Sequence, residues 1–485
     1  MHTCDFSNHQ NRDLRLEDLS PEYRAMIRQS TRSDPYYPGW HIAPPCGLLN
    51  DPNGLCEIDS VHHIFHQWFP AGPVHGLKYW RHVTTRDFVH YQDEGVAMAP
   101  DQPCDCHGCY TGMALREEDG ARLYYTGLSS AGQEPCTCTA LFDGRQITHR
   151  EKLLDRDPAV TTINYRDPCV WKKGESFHML VGGESLEHKG VLLFYSGTRA
   201  DRFSYRGLLD LGKQNFGYMM ECPNYYEEGG AGVLFFSPMG MPSGSKYDYR
   251  NVFSVVYCIG EPLDTIQGRF LIQKVYEMDK GFDFYAPQSY RDEKGRRILF
   301  GWLGNSKNPY PTDRNNWAHM LTMPRLLRVE GDRLVQQPLP ELEALRGEAV
   351  PVPAEMQLPH SRLELEAGAG ESFSFMLENE LGENITFTGT AGEYTLDRSG
   401  MSEPYALNFG AVRYAHRLEP SGSVRIFVDH SSIEIFCDGG KTVFTARFFL
   451  RGGLTLRTQG LNGTLYMLEK TVWTFPPKDG GVTYV

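Results

Sequence analysis

Residues 63–68, HIFHQW, set an isoleucine and two aromatic rings between histidines and a glutamine, with Asp59-Ser60 before them and the Pro70–Pro73 segment after. The run is too short for a typical helix, and β-branched and aromatic side chains between turn residues read as a strand. Similar runs recur along the chain: RLYYTG at 122–127, FHMLVGG at 177–183, VLFFSP at 233–238 and RILFGW at 297–302. Anchored at Ile64, Leu123, Phe177, Val233 and Ile298, they stand 54 to 65 residues apart. A long regular period in a strand-rich chain signals a propeller, and a period of that size accommodates four strands with generous loops. The fold expected is all-β, a five-bladed β-propeller over 35–337. A helical extension precedes it at 1–34, with Ser20 as N-cap and Pro21 at the first helical position. A Pro-rich linker at 338–356 follows, and then a C-terminal β-sandwich at 357–485, where polar and apolar residues alternate between short turns.

Composition limits what such a chain does. The 485 residues suit two or three domains. The formal charge of −13 is spread along the sequence, which argues against nucleic acid and anionic membrane as partners. With no basic segment leading into an apolar one at the N-terminus and no apolar run of spanning length, a soluble cytoplasmic protein is expected. The twelve cysteines read as reduced thiols. Cys104, Cys106 and Cys109, with Cys136 and Cys138 downstream, resemble metal ligands, but CxCxxC followed by CxC is irregular for structural zinc, and no metal is expected.

Outward from Ile64 lies GLLNDPNG at 47–54, a rigid turn that holds Asp51 between two asparagines. In isolation that carboxylate would only bond its own backbone. Yet Asp51, Tyr110, Asp167, Glu221 and Tyr285 each precede their anchor by 10 to 13 residues. Equivalent positions in successive blades face the same part of the axis, so three acids converge on one end of it. Carboxyls sharing a pocket are pushed apart in pKa, and glycosidic cleavage uses such a pair as proton donor and nucleophile. Glu221, after Met219-Met220 and before Cys-Pro, has apolar neighbours that would hold its proton, which makes it the acid/base. Asp167 beside Arg166 would stay ionised and oppose positive charge in the transition state. Asp51, rigidly presented, remains as nucleophile. Asp429, Glu434 and Asp438 read as solvent-facing charges.

Taken in order, NDPNG, RDP and ECP resemble the signature of glycoside hydrolase family 32, the invertases and fructanases. DFYAPQ at 283–288, GRRILFGWLG at 295–304, WAHMLTMPR at 317–325 and VRIFVDHSSIEIFCDG at 424–439 extend that resemblance. It implies a five-bladed propeller with an appended β-sandwich, and retaining release of terminal β-fructofuranosyl residues without cofactor. It also implies Asp51 as nucleophile, Asp167 as transition-state stabiliser and Glu221 as acid/base. Asn50, Gln67, Trp80, Arg166 and the Tyr110-Thr111 pair fall where the family lines its fructose pocket, with Tyr285 joining them by repeat phase. His75 takes the place of a frequent tryptophan. Leu48-Leu49 replace Trp-Met, and Tyr110-Thr111-Gly112-Met113 replace Phe-Ser-Gly-Ser. GPVHGLKYW at 72–80 resembles the intracellular sucrose-6-phosphate hydrolases of bacteria. There Lys78, Arg81 and His82 read either as cations for a substrate phosphate or as ordinary surface charges. The substrate expected is a small sugar: sucrose, sucrose 6-phosphate or a fructooligosaccharide. A fructan hydrolase, a fructosyltransferase and a non-catalytic sugar-binding propeller stay open as alternatives, as does a homodimer.

Overall fold

The computed structural model describes residues 4–129 and 134–475. Every anchor of the sequence repeat falls in the second strand of a small antiparallel sheet: Ile64 in Val61–Phe69, Leu123 in Gly120–Leu128, Phe177 in Ser176–Ser185, Val233 in Ala231–Met239 and Ile298 in Arg297–Leu303. The strand before each anchor is the inner one: Gly47–Ile58, Cys109–Glu117, Thr161–Lys173, Met219–Glu228 and Tyr285–Arg291. Each inner strand packs on the next, and the last packs back on the first.

The sheets themselves are not equivalent. Four follow a four-strand path, and one of these adds Met320–Leu321. The sheet that carries Asp51 has six strands. Trp317–Ala318 pairs in parallel with its first strand and Val472–Thr474 pairs in parallel with its fourth. The expectation of five blades is corrected accordingly: the all-β arrangement has four blade-like sheets, a six-stranded sheet built differently, and a C-terminal sandwich-like sheet of ten strands. The repeat fixes the inner strands, but both edges of the Asp51 sheet present unpaired N–H and C=O groups, which recruit distant segments of the same chain.

Local chemistry bends every inner strand at the same place. The ladder slips between Leu49 and Pro52, Cys109 and Gly112, Arg166 and Cys169, Glu221 and Asn224, and Tyr285 and Gln288. Four of the five irregularities contain a proline, at 52, 168, 223 and 287, which cannot donate to a ladder and is tolerated at such bulges. Asp167, Cys222 and Ala286, each just before its proline, take positive φ values of 65°, 49° and 44°. Those conformations are sparsely populated for non-glycine residues and concentrate at functional sites. Gly54 of NDPNG also has a positive φ, and a Cβ there would meet the Phe65 and Trp80 rings at 3.0 Å.

The helix Pro21–Arg32 starts where Ser20 accepts from the Tyr23 N–H, and its Ile27 face packs on Leu48, Trp68 and Ala318 beside the Asp51 sheet. In the ten-stranded sheet, Arg362–Asn379 pairs along most of its length with Leu454–Leu468, over a core that includes Leu363, Phe375, Ile385, Ile426 and Leu456.

Asp429 and Glu434 correct a second expectation. They do not face solvent but are 0% and 1% exposed, at the seam between the two halves of the molecule. Asp429 accepts the backbone N–H groups of Gly39, Trp40 and His41, and His41 bridges it to Glu434 with ring nitrogens 2.8 Å from each. Glu434 also meets the Arg325 guanidinium, which reaches on to Asp279 at 3.2 Å. Burial disfavours charge on His41, but the hydrogen bonds and charges of two carboxylates outweigh it and raise its pKa. Asp438 is half-buried and accepts from Tyr394 and Thr442 hydroxyls. The cysteines near residue 104 are thiols packed together, with Cys136 and Cys138 sulfurs 3.6 Å apart and Cys136 donating to the Cys104 carbonyl.

Candidate active site

The five bulges open on one cavity of about 370 Å³, walled by Asp51, Tyr110-Thr111, Arg166-Asp167, Glu221 and Tyr285 from successive inner strands. Asn50, Gln67, His75 and Lys78 complete one side, and Asn164, Trp302 and Ser306 another. Of the residues expected to line a sugar pocket, all but Trp80 are there. Trp80 is fully buried between sheets against Phe65 and Tyr125, and its indole N–H donates to the Tyr110 carbonyl at 3.0 Å. It shapes the wall from behind.

Asp51 is held at both oxygens. Asn50 Nδ2 donates to Oδ1 at 3.1 Å, and the Thr111 hydroxyl donates to Oδ2. The Cys222 thiol lies between carboxylates, 3.7 Å from Asp51 Oδ2 and 3.5 Å from Asp167 Oδ2, while the Cys222 N–H donates to the same Asp167 oxygen at 3.0 Å. One side chain thus spaces the two aspartates. Glu221 is fixed from two directions: Arg166 Nε donates to Oε1 at 2.8 Å, and the Tyr285 hydroxyl to Oε2 at 2.5 Å. The apolar surroundings expected for Glu221 are therefore corrected. Its neighbours Met219 and Met220 are buried in the sheet, whereas Glu221 itself turns into the cavity toward a guanidinium and a phenol. Arg166 likewise gives its hydrogen bonds to Glu221 and Asn164, and acts on Asp167 only through space.

Electrostatics follow from this packing. Burial raises Asp51, with the Glu221 charge adding to it, and hydrogen bonds from Thr111 and Asn50 and the Lys78 charge pull the other way. Burial also raises Asp167; Arg166 opposes this, while Glu221 and Asp51 reinforce it. Asp51 and Asp167 therefore both hold a proton more tightly than an exposed aspartate does. Such perturbed groups in a cleft mark chemistry rather than scaffolding.

Neither reading of Lys78, Arg81 and His82, as cations for a substrate phosphate or as ordinary surface charges, holds for all three. Lys78, Arg81 and His82 are 2%, 4% and 4% exposed, and only Lys78 reaches the cavity. Arg81 pairs with Asp93 and lies over Trp68, and His82 stacks on Phe65. Nothing local in the sequence signals that Lys78 meets Asn50, or that Trp302 and Asn164 join the wall, because these approaches are set by the folding of strands back on one another.

Residues 41–338 match the model of the glycosyl hydrolases family 32 N-terminal domain, and residues 336–473 that of the family 32 C-terminal domain. The chain belongs to glycoside hydrolase family 32 and is a glycoside hydrolase. It is 40% identical over 449 residues to a sucrose-6-phosphate hydrolase of Vibrio alginolyticus, spanning 91% of this chain and 92% of that protein. A solved sucrose-6-phosphate hydrolase from Lactobacillus gasseri superposes with a TM-score of 0.90 at 28% identity, over 95% of this chain and 99% of that one. A variant of a Bombyx mori family 32 β-fructofuranosidase, solved in complex with sucrose, gives 0.79 at 25% identity over 96% of this chain and 99% of that one.

Proposed function

We propose that the chain is a retaining β-fructofuranosidase that releases fructose from sucrose and sucrose 6-phosphate. The observation that carries this reading is the constellation of Asp51, Asp167 and Glu221 on three of the five bulges around one cavity. The similarity to sucrose-6-phosphate hydrolases supports the substrate.

In this reading an Asp51 oxygen attacks the anomeric carbon of the fructosyl unit as the glycosidic bond breaks. Glu221 gives its proton to the departing glucosyl oxygen, and a fructosyl ester of Asp51 forms. Glu221, now a carboxylate, takes a proton from water as its oxygen attacks the same carbon, which frees fructose and Asp51. Asp167, spaced from Asp51 by the Cys222 thiol, opposes the charge of the oxocarbenium-like transition state. Arg166 and Tyr285 keep Glu221 aimed while its proton comes and goes.

Catalytic efficiency on sucrose, sucrose 6-phosphate, raffinose and inulin tests substrate and chemistry together. Free fructose from the first two, highest for the phosphorylated sugar, is expected. Longer oligosaccharides as the main product would instead make the chain a transferase, and no turnover of any of them would overturn the reading.

A further inference from the structure

A directional chain of hydrogen bonds leads from Lys78 to Asp51. Lys78 Nζ donates to Asn50 Oδ1 at 2.8 Å, Asn50 Nδ2 to Gln67 Oε1 at 2.6 Å, and Gln67 Nε2 to Thr111 Oγ1 at 2.5 Å; the Thr111 hydroxyl then donates to Asp51 Oδ2. An ammonium group only donates and a carboxylate only accepts. With those two ends fixed, each amide between them has one allowed orientation, and the Thr111 proton has one place to point. A second branch starts at the same ammonium, whose Nζ lies 3.1 Å from His75 Nδ1. Nδ1 must accept there, which leaves the hydrogen of a neutral imidazole on Nε2. That atom is buried without a partner in the cavity wall, beside Trp302, whose indole N–H is also buried and unpartnered.

We infer that Lys78 is the positioning residue of this site: its ammonium fixes the proton order of Asn50, Gln67 and Thr111 so that Asp51 is presented as an oriented carboxylate, and it fixes His75 as an Nε2–H donor to a sugar hydroxyl. The role holds while Lys78 carries its proton. Burial lowers the Lys78 pKa to about 7, with the Asp51 charge opposing the fall. Burial and the neighbouring Lys78 charge hold His75 well below its usual value, as a neutral ring that serves as a donor. Removing the cation would leave Asn50 Oδ1 without its donor and the chain held from the Asp51 end alone, loosening the Asn50 and Gln67 amides and the Thr111 hydroxyl although none of these residues changes.

The catalytic half of this inference rests on the reading of the site given above; the tautomer half does not. Nitrogen-15 NMR of histidine-labelled protein, with the His75 signal assigned from His75→Gln, is expected to show the Nε2–H form in wild type and to lose that preference in Lys78→Met. An Nδ1–H tautomer in wild type overturns the proposal whether or not the protein cleaves sucrose. In kinetics on sucrose, Lys78→Met is expected to lower kcat by about 100-fold, more than it changes KM, and Thr111→Val by about 10-fold, the range for hydrogen bonds to charged groups. Lys78 and Thr111 share no contact, yet in the double variant the Thr111 loss is expected to vanish into that of Lys78→Met. Fully additive losses would overturn the relay. Should Lys78→Met fail to fold, Lys78→Gln keeps a neutral donor without the charge, and the same cycle applies to it.

Discussion

Two groups of buried carboxylates lie in one molecule and behave in opposite ways. At the seam between the ring of sheets and the C-terminal sheet, Asp429 and Glu434 are surrounded by backbone N–H groups, His41 and Arg325. Burial alone would raise them, but these partners win and their pKa values fall. In the cavity, Asp51 and Asp167 are enclosed too, but there Arg166 and Lys78 face three carboxylates that also repel one another, and the two aspartates rise. Compensation at the seam makes the charge permanent and structural. Incomplete compensation in the cavity leaves two carboxylates perturbed, the mark of a site built for chemistry rather than for support.

The contrast can be broken at either end. Asp51→Asn keeps the shape of the cavity and removes the attacking oxygen, so kcat on sucrose is expected to fall by roughly 10⁴-fold or more, with unchanged thermal stability and no fructosyl-enzyme in rapid-quench mass spectra. Glu221→Gln leaves the nucleophile and removes the proton donor, lowering kcat by about 10²- to 10⁴-fold, with a smaller loss on substrates whose leaving group departs without protonation. Arg325→Met acts on the other population: it strands two buried carboxylates and is expected to cost about 3–5 kcal/mol in chemical denaturation, while kcat at low temperature stays near wild type.

The smallest effect sharpens the contrast through pH. His41 has a raised folded-state pKa, so its contribution is complete below its unfolded value of about 6.5 and is lost as pH climbs through the folded value. Thermal midpoints are expected to fall by a few degrees from pH 6 to pH 9, and His41→Gln should flatten that slope. The lowered Asp429 and Glu434 work in the other direction, adding stability above the normal carboxylate range that is lost on acidification through their folded values.

Much of the cavity was legible in the sequence because it is written in phase. Asp51, Tyr110, Asp167, Glu221 and Tyr285 recur at one offset before strand anchors, and prolines mark four of the five bends that aim them. What escaped was whatever depends on partners far away in sequence. Asp429 alternates like a surface residue, and only the fold brings His41 to it across 388 positions. Lys78 reads as one of three loop cations until Asn50 takes it inward. The uneven sheets escaped for the same reason, since residues 317–318 and 472–474 carry no trace of the repeat they complete.

That completion has a temporal side. On the ribosome, the strand bearing Asp51 emerges long before Val472–Thr474, and until that segment leaves the exit tunnel the outer edge of its sheet lacks its last neighbour. The nascent chain therefore carries an open sheet edge while more than 370 further residues are added, and the sheet that bears Asp51 is completed only when that distant segment folds back onto it.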